Sequence, residues 1–215
     1  MHEGRGFGKA AVLAGRRGRD WGQQGGWIVP EFNPNSKPRT RLQILMKTRA
    51  DLFAFLDRLG VAHRTVDHPP IFTVEEGRDH KASMPGGHSK NLFLKDKKDR
   101  LFLAVAHCDT QVDIVGYGRA AGSRGRLSFG RPELMTATLG VIPGAVTPFA
   151  LVNETARALT EVALDRALLS WPAVWFHPLE NTASTAVSPD GLLTFIKACG
   201  FEPRVIDLAS PETNA

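Results

Sequence analysis

Asn91-Leu92-Phe93-Leu94-Lys95-Asp96-Lys97-Lys98-Asp99-Arg100-Leu101-Phe102-Leu103-Ala104-Val105-Ala106 is the stretch on which the fold turns. Two short apolar runs flank a charged connector, the pattern of two strands joined as a hairpin. The connector, Lys95 to Arg100, reads as a solvated turn rather than a phosphate clamp. Upstream, Leu52, Phe53, Leu56 and Leu59 fall at helical spacing and Gly60 stops them. Ala62 to Asp67 alternates weakly and runs into His68-Pro69-Pro70, a short strand and turn. Thr73-Val74-Glu75-Glu76 has the spacing of a capping box, which predicts a helix ending before Pro85-Gly86-Gly87.

Downstream, Arg126 to Phe129 reads as a short strand. Pro132 stands where a helix starts, and Glu133 to Leu139 fills that helix before Gly140. Phe149 to Val152, Val162 to Asp165 and Val174 to His177 read as strands. Ser188-Pro189 opens a last helix, Asp190 to Ala198, which Gly200 closes, and Arg204 to Leu208 is the closing strand. Strands and helices mixed in this order predict an α/β or α+β domain with a mainly antiparallel or mixed sheet.

The 215 residues suit one domain with appendages, and 42 % apolar content is enough for a core. No apolar run approaches the roughly 18 residues of a membrane span. Ala10 to Ala14 is too short for a signal-peptide core and has arginines behind it. Two cysteines, Cys108 and Cys199, with no CxxC spacing, read as unpaired thiols. A cytoplasmic protein with no membrane contact is expected.

The net charge of +5 is unevenly placed. Residues 1–47 hold nine Lys and Arg against three acids, whereas the remainder holds 18 basic and 19 acidic residues. Residues 1–46 are rich in Gly and Arg and broken by Pro30, Pro34 and Pro38, a composition that offers little apolar surface to offset ordering. They read as a disordered basic extension, either an appendage without function or an arm touching RNA. The folded domain is expected over 47–208, with 209–215 a tail.

Several motifs fail on inspection. Gly116-Tyr117-Gly118-Arg119-Ala120-Ala121-Gly122, after the strand-like Val112 to Val115, lacks the long helix that a dinucleotide fingerprint needs. Ala121-Gly122-Ser123-Arg124-Gly125 lacks the first glycine of a nucleophile elbow, and Gly87-His88-Ser89-Lys90-Asn91 lacks the second. The seven histidines form no HxxxH or HExxH. His107, Cys108 and Asp109 are adjacent, and adjacent residues on a strand point to opposite faces. No metal and no cofactor are expected.

Three segments remain: Ser89-Lys90-Asn91-Leu92-Phe93-Leu94-Lys95-Asp96, Gly140-Val141-Ile142-Pro143-Gly144, and Trp175-Phe176-His177-Pro178-Leu179-Glu180-Asn181-Thr182-Ala183-Ser184. With Leu52 to Val74, which contains Val66-Asp67-His68-Pro69-Pro70, they closely resemble the editing domain family associated with prolyl-tRNA synthetase (YbaK-like). Within it they resemble most the freestanding alanyl-tRNA(Pro) deacylase branch. The likeness covers roughly residues 47–208.

The resemblance implies a single α/β domain with a mixed central sheet flanked by helices, and a pocket between the sheet and the Gly140–Gly144 loop. It also implies hydrolysis of the ester joining a wrong amino acid to tRNA(Pro), without metal or covalent nucleophile and with the terminal ribose 2′-OH helping to activate water. The partners implied are mischarged tRNA(Pro) and a prolyl-tRNA synthetase. Family members usually carry a continuous helix where this chain has Gly116, Gly118, Gly122, Ser123 and Gly125, so that helix is expected to be shorter.

Ester hydrolysis needs a site for the developing oxyanion and an oriented water. Lys90 is a cation at a strand's edge, suited to a 3′-terminal phosphate or the ester and expected to face the glycine-flanked loop. Gly140, Pro143 and Gly144 belong to a loop whose backbone can approach a ligand closely. Asn91, His177, Asn181, Thr182 and Ser184 offer hydrogen bonds to substrate. Ile71, Phe72 and Val141 are the expected apolar walls of a pocket that admits alanine and excludes proline by size, since rewarding one methylene gains only about 1–3 kcal/mol. The competing readings are a deacylase for cysteine or serine, and a catalytically silent tRNA- or synthetase-binding module.

Overall fold

Leu101 to Val105 supplies the centre of the molecule because every one of its side chains is buried, on both faces of a sheet. Leu101, Leu103 and Val105 enter one core cluster; Phe102, Ala104 and Ala106 enter another on the opposite face. This is the period of two expected of a strand covered on both sides. A computed structural model describes residues 46–70 and 83–209 of the chain, all within one compact unit of residues 39–215. The helix predicted from the Thr73 capping box, the walls Ile71 and Phe72, and the extension and tail lie outside the described residues, Met46 and Ala209 excepted.

The described elements are, in chain order, α1 (Arg49–Arg58), β1 (His63–Asp67), β2 (Gly87–Lys95), β3 (Leu101–His107), α2 (Ile114–Ala120), β4 (Ser128–Phe129), α3 (Pro132–Leu139), two 3₁₀ turns (Pro148–Val152 and Glu154–Ala158), β5 (Leu159–Asp165), a third 3₁₀ turn (Leu168–Ser170), β6 (Val174–Phe176), β7 (Ala183–Val187), α4 (Pro189–Ala198) and β8 (Arg204–Ile206). The eight strands form one mixed sheet in the order β1-β7-β6-β2-β3-β5-β8, with β4 beside β2. The pairs β1–β7, β6–β7, β2–β3 and β2–β4 are antiparallel; β2–β6, β3–β5 and β5–β8 are parallel. This is the α/β domain with a mixed, helix-flanked sheet.

Local chemistry sets the element ends. Thr48 caps α1 through a reciprocal capping box with Asp51, and Leu52 and Leu56 bury its inner face. Pro132 opens α3, and Gly140 ends it in the left-handed conformation at φ +72. Ser188 accepts the Gly191 N–H to cap α4, whose Leu192, Phe195 and Ile196 enter the main core. Phe149 meets Phe176 and Phe195 edge-on, with ring centroids 5.5 and 5.3 Å apart. Each such pair contributes about 0.5–1.5 kcal/mol beyond its burial.

Three expectations need correction. Phe149 to Val152 is a 3₁₀ turn, not a strand, because Pro148 opens it and the Thr147 hydroxyl accepts the Phe149 N–H. Val112 to Val115 is not a strand: Val112 makes one isolated bridge to Ala209, and Asp113 then caps α2 by accepting the Gly116 N–H. Ser184, expected only as a source of hydrogen bonds, lies in a fully buried strand, Ala183–Val187, that the sequence pattern does not announce. α2 itself ends after seven residues, followed by Gly122 at φ +61.

Candidate active site

β2 is the strand that builds the site. Its first two residues pair with β6, Gly87 with Val174 and His88 with Trp175. Its last two pair with β4, Leu94 with Phe129 and Lys95 with Ser128. Between them one edge of β2 has no strand partner among the described residues. The His88 carbonyl accepts from Cys108 on the β3 side, whereas the Phe93 carbonyl accepts from Gly130 on the other. Asn91 has the parity of Phe93, so its peptide N–H and C=O point to the open edge.

The side chains divide between two faces. The β2–β3 register runs unbroken from Ser89–His107 to Lys95–Leu101, so alternation holds. Asn91 turns to the main core face, opposite Val105, and Lys90 turns to the other, opposite Ala106. The expectation that the Lys90 side chain faces the Gly140–Gly144 loop is therefore corrected: the loop is held by Asn91. Lys90 is half-buried, and among the described residues its ammonium makes no ion pair or hydrogen bond.

The Gly140–Gly144 loop is fixed at both ends and open at its tip. The Thr136 hydroxyl donates to the Val141 carbonyl at 2.9 Å, and the Asn91 amide donates to the Val146 carbonyl at 2.9 Å. Ile142 to Ala145 is a turn with Pro143 and Gly144 at its centre, closed by the Ala145 N–H to the Ile142 carbonyl, with Gly144 at φ +88. Pro143 and Gly144 are exposed, and the Gly144 N–H has no partner among the described residues. Val141 is 2 % exposed and packs in the main core, so the loop's outward apolar side chain is Ile142, at 56 %.

The Asn91 amide is oriented by its neighbours. Its nitrogen also donates to Ser89 Oγ at 3.3 Å, and Ser89 donates onward to the Trp175 carbonyl. With the nitrogen engaged, Asn91 Oδ1 is left buried and without a partner among the described residues; Asn181 Nδ2 is likewise buried and unpartnered among them. Buried polar atoms without partners are few in native proteins, and each costs about 1–3 kcal/mol until something satisfies it.

His177 follows β6 and donates its Nδ1 hydrogen to the Ala183 carbonyl at 2.9 Å. A carbonyl can only accept, so in the neutral ring Nε2 carries the lone pair. Burial, opposed by that hydrogen bond and reinforced by the neighbouring His68, holds the imidazole below its ordinary value of 6.5. The His68 ring lies 5.9 Å from it, centroid to centroid, and its Nε2 is 2.9 Å from Ser184 Oγ. This pair shares the face of Lys90. Ser184 alternates with Ala186 to the side of Trp175, Trp175 is opposite His88, and His88 precedes Lys90 by two. Thr182 presents its carbonyl to the His68 N–H.

The structure thus gathers His177, Thr182 and Ser184 on one side, and Asn91 with the Gly140–Gly144 loop on the other, along one open strand edge. From sequence, His68 marks only the start of a turn. Its 8 % exposure and its ring partner depend on β1 pairing with β7, which no local pattern announces.

Elsewhere, His107, Cys108 and Asp109 bring their donor atoms within 4.8 Å of one another. Strand alternation does not separate them because β3 ends at His107 and the next two residues turn. Such a set could hold a metal, although the Asp109 side chain is 85 % exposed. Cys199 is inert by contrast: burial, weakly opposed by Arg157, pushes its thiol up to about 12. No helix among the described residues is long and apolar enough to cross a membrane.

Comparisons with known proteins agree with this architecture. The aminoacyl-tRNA editing domain model matches residues 68–195. The mouse prolyl-tRNA synthetase associated domain-containing protein 1 is 36 % identical over 164 residues, covering 74 % of this chain and 95 % of the mouse protein. The prolyl-tRNA editing protein ProX of Acetoanaerobium sticklandii is 32 % identical over 164 residues, covering 76 % and 99 %. A solved structure described as a candidate trans-editing enzyme for prolyl tRNA synthetase superposes with a TM-score of 0.59 at 21 % identity, covering 81 % of this chain and all of the other, and supports the fold. From the family match and these identities together, the chain belongs to the aminoacyl-tRNA editing domain family.

Proposed function

We propose that this protein is a trans-editing deacylase that hydrolyses the ester of mischarged tRNA(Pro), with alanine as the amino acid removed. The observation that supports the reading is the open edge of β2, where the peptide groups of Asn91 and its unsatisfied Oδ1 have no partner among the described residues. The family and the name of the ProX relative supply the substrate class.

A 3′ terminus laid along that edge meets Lys90 from one face and Asn91 with the loop from the other. The Lys90 ammonium neutralises the terminal phosphate or draws on the ester carbonyl. The Gly144 N–H is a donor for the developing oxyanion, and Gly140 and Pro143 shape the turn that presents it. His177 accepts a hydrogen from substrate, and Asn181 donates one. The 2′-OH of the terminal ribose orients the attacking water, so the reaction needs neither a metal nor a covalent nucleophile. Ile71 and Phe72 are proposed walls of the amino-acid pocket, and residues 1–46 an extension dispensable for the chemistry. The protein acts in the cytoplasm beside a prolyl-tRNA synthetase.

The test is ester loss from Ala-, Cys-, Ser- and Pro-charged tRNA(Pro). Alanine is expected to leave fastest and proline to remain. Lys90→Ala reduces the rate to background, and a chain lacking residues 1–45 keeps most of it. Loss of activity on truncation together with survival in Lys90→Ala would favour a tRNA-binding module acting through the basic arm.

A further inference from the structure

We infer that His68 is a positioning residue that fixes the tautomer of His177. The inference rests on the site proposed above but on a separate set of bonds. Three consecutive residues are involved, Thr182 just before β7 and Ala183 and Ser184 within it. The Thr182 carbonyl accepts the His68 N–H at 2.9 Å. The Ser184 hydroxyl meets His68 Nε2 at 2.9 Å. Ala183 lies between them, and its carbonyl is the acceptor of the His177 Nδ1 hydrogen at 2.9 Å. One histidine thus holds both neighbours of the peptide group that a second histidine reads.

The direction of each bond follows from donor chemistry. His68 Nδ1 lies 2.8 Å from the Pro69 carbonyl, which can only accept, so Nδ1 carries a hydrogen. In the neutral ring Nε2 then accepts, and Ser184 is its donor. His68 is 8 % exposed and Ser184 8 %, so solvent cannot readily replace either group. β1 ends at Asp67 opposite Ala183, and among the described residues the bond from the His68 N–H to the Thr182 carbonyl is the last rung of the β1–β7 ladder at this corner. Without the His68 ring, the corner keeps the backbone bond to Thr182 but loses the bond to Ser184, and the Ala183 carbonyl loses one of its two fixed flanks.

The consequence concerns what His177 presents to substrate. Anchored through Nδ1–H, it offers a lone pair at Nε2 and accepts from a hydroxyl or an ammonium group. If the anchor slackens, the Nε2–H tautomer gains population and the same atom becomes a donor, which no longer suits that partner. Ser184, grouped from sequence with the substrate-binding residues, acts in this arrangement through His68.

The test separates the tautomer from the reaction. In full-length protein labelled with ¹⁵N-histidine at neutral to mildly alkaline pH, the His177 resonances (assigned with a His177→Asn variant) are expected to show a protonated Nδ1 and a bare Nε2. His68→Ala is expected to mix the two tautomers and to lower kcat for Ala-tRNA(Pro) by roughly tenfold to a hundredfold, with KM changed little. His68→Gln, whose amide oxygen can accept from Ser184, restores most of both. Ser184→Ala gives a partial shift of the same kind and carries the test should His68→Ala fail to fold.

A folded His68→Ala or Ser184→Ala protein whose His177 keeps a pure Nδ1–H tautomer overturns the inference, whatever its activity. Absence of ester hydrolysis in the wild type, with the tautomer shift intact, refutes the proposed function and leaves the positioning role standing.

Discussion

Asp96 and Asn91 stand five residues apart around the same strand, and the difference between them separates architecture from site. Asp96 is 1 % exposed, yet its carboxylate accepts four N–H groups: the backbone of Lys98, Arg100 and Arg124, and the Arg100 guanidinium at 2.8 Å. These bonds lock the β2–β3 connector to the turn after α2. Burial alone would raise this carboxyl, but the hydrogen bonds from Arg124, Arg100 and Lys98 outweigh it and hold the group well below the usual carboxylate range. Asn91 is oriented on one side only, and its Oδ1 is buried with nothing to receive. A buried polar group with every bond made specifies a loop; one with a bond missing leaves room for a ligand.

The largest effect expected from this contrast is on stability at Asp96. Asp96→Ala leaves four donors in two loops without their acceptor, so thermal melting shifts down by several degrees while the activity of the folded fraction persists. Equal loss of specific activity would place the connector inside the site.

The same residue sets an acid limit. A carboxyl held low in the folded state stabilises the protein above its ordinary value of 3.8, and that contribution fades as pH falls below it towards the folded value. The acid-denaturation profile of Asp96→Asn should therefore be flatter in that range than the wild type's.

Asn91→Ala should invert the pattern. It removes an unsatisfied acceptor along with the bonds to Val146 and Ser89, so the net stability change is about 1 kcal/mol. Ester hydrolysis falls by on the order of 10²-fold. Urea denaturation set beside the deacylation rate reads both.

Gly140→Ala sharpens the boundary between loop and helix. A Cβ built there would approach Met46 Sδ to 2.6 Å and Asn153 Nδ2 to 2.9 Å, at a left-handed φ. Asn153 binds the Leu139 carbonyl and the Lys47 N–H. The substitution should cost about 1–2 kcal/mol, measured as a lower denaturant midpoint.

The smallest effect is the pH response of His177. Its folded value lies below 6.5, so the unfolded chain binds a proton first, and stability falls as pH drops below 6.5. His177→Asn should remove that part of the slope in melting experiments across mildly acidic pH.

Much of the fold was legible in particular residues. The β2–β3 hairpin followed from two apolar runs around a charged connector, α3 from Pro132 and Gly140, and α4 from Ser188-Pro189 and Gly200, because caps and turns are local chemistry. Thr48-Arg49-Ala50-Asp51 carried the capping signal of α1 and could have been read the same way. Phe149 to Val152 misled because its apolar residues enter the core from a 3₁₀ turn, and burial alone does not distinguish strand from turn.

Sequence by itself determined the element inventory around β2, the family, and the candidate residues Lys90, Asn91 and His177. Tertiary structure alone decided which of Lys90 and Asn91 lies on the loop's face, that β2 has an open edge among the described residues, and that His68 belongs with His177. The reason is physical: the side-chain chemistry of a residue is local, but which face is covered, which strand edge is left without a partner and which buried atom stays unpaired depend on pairings between segments far apart in the chain.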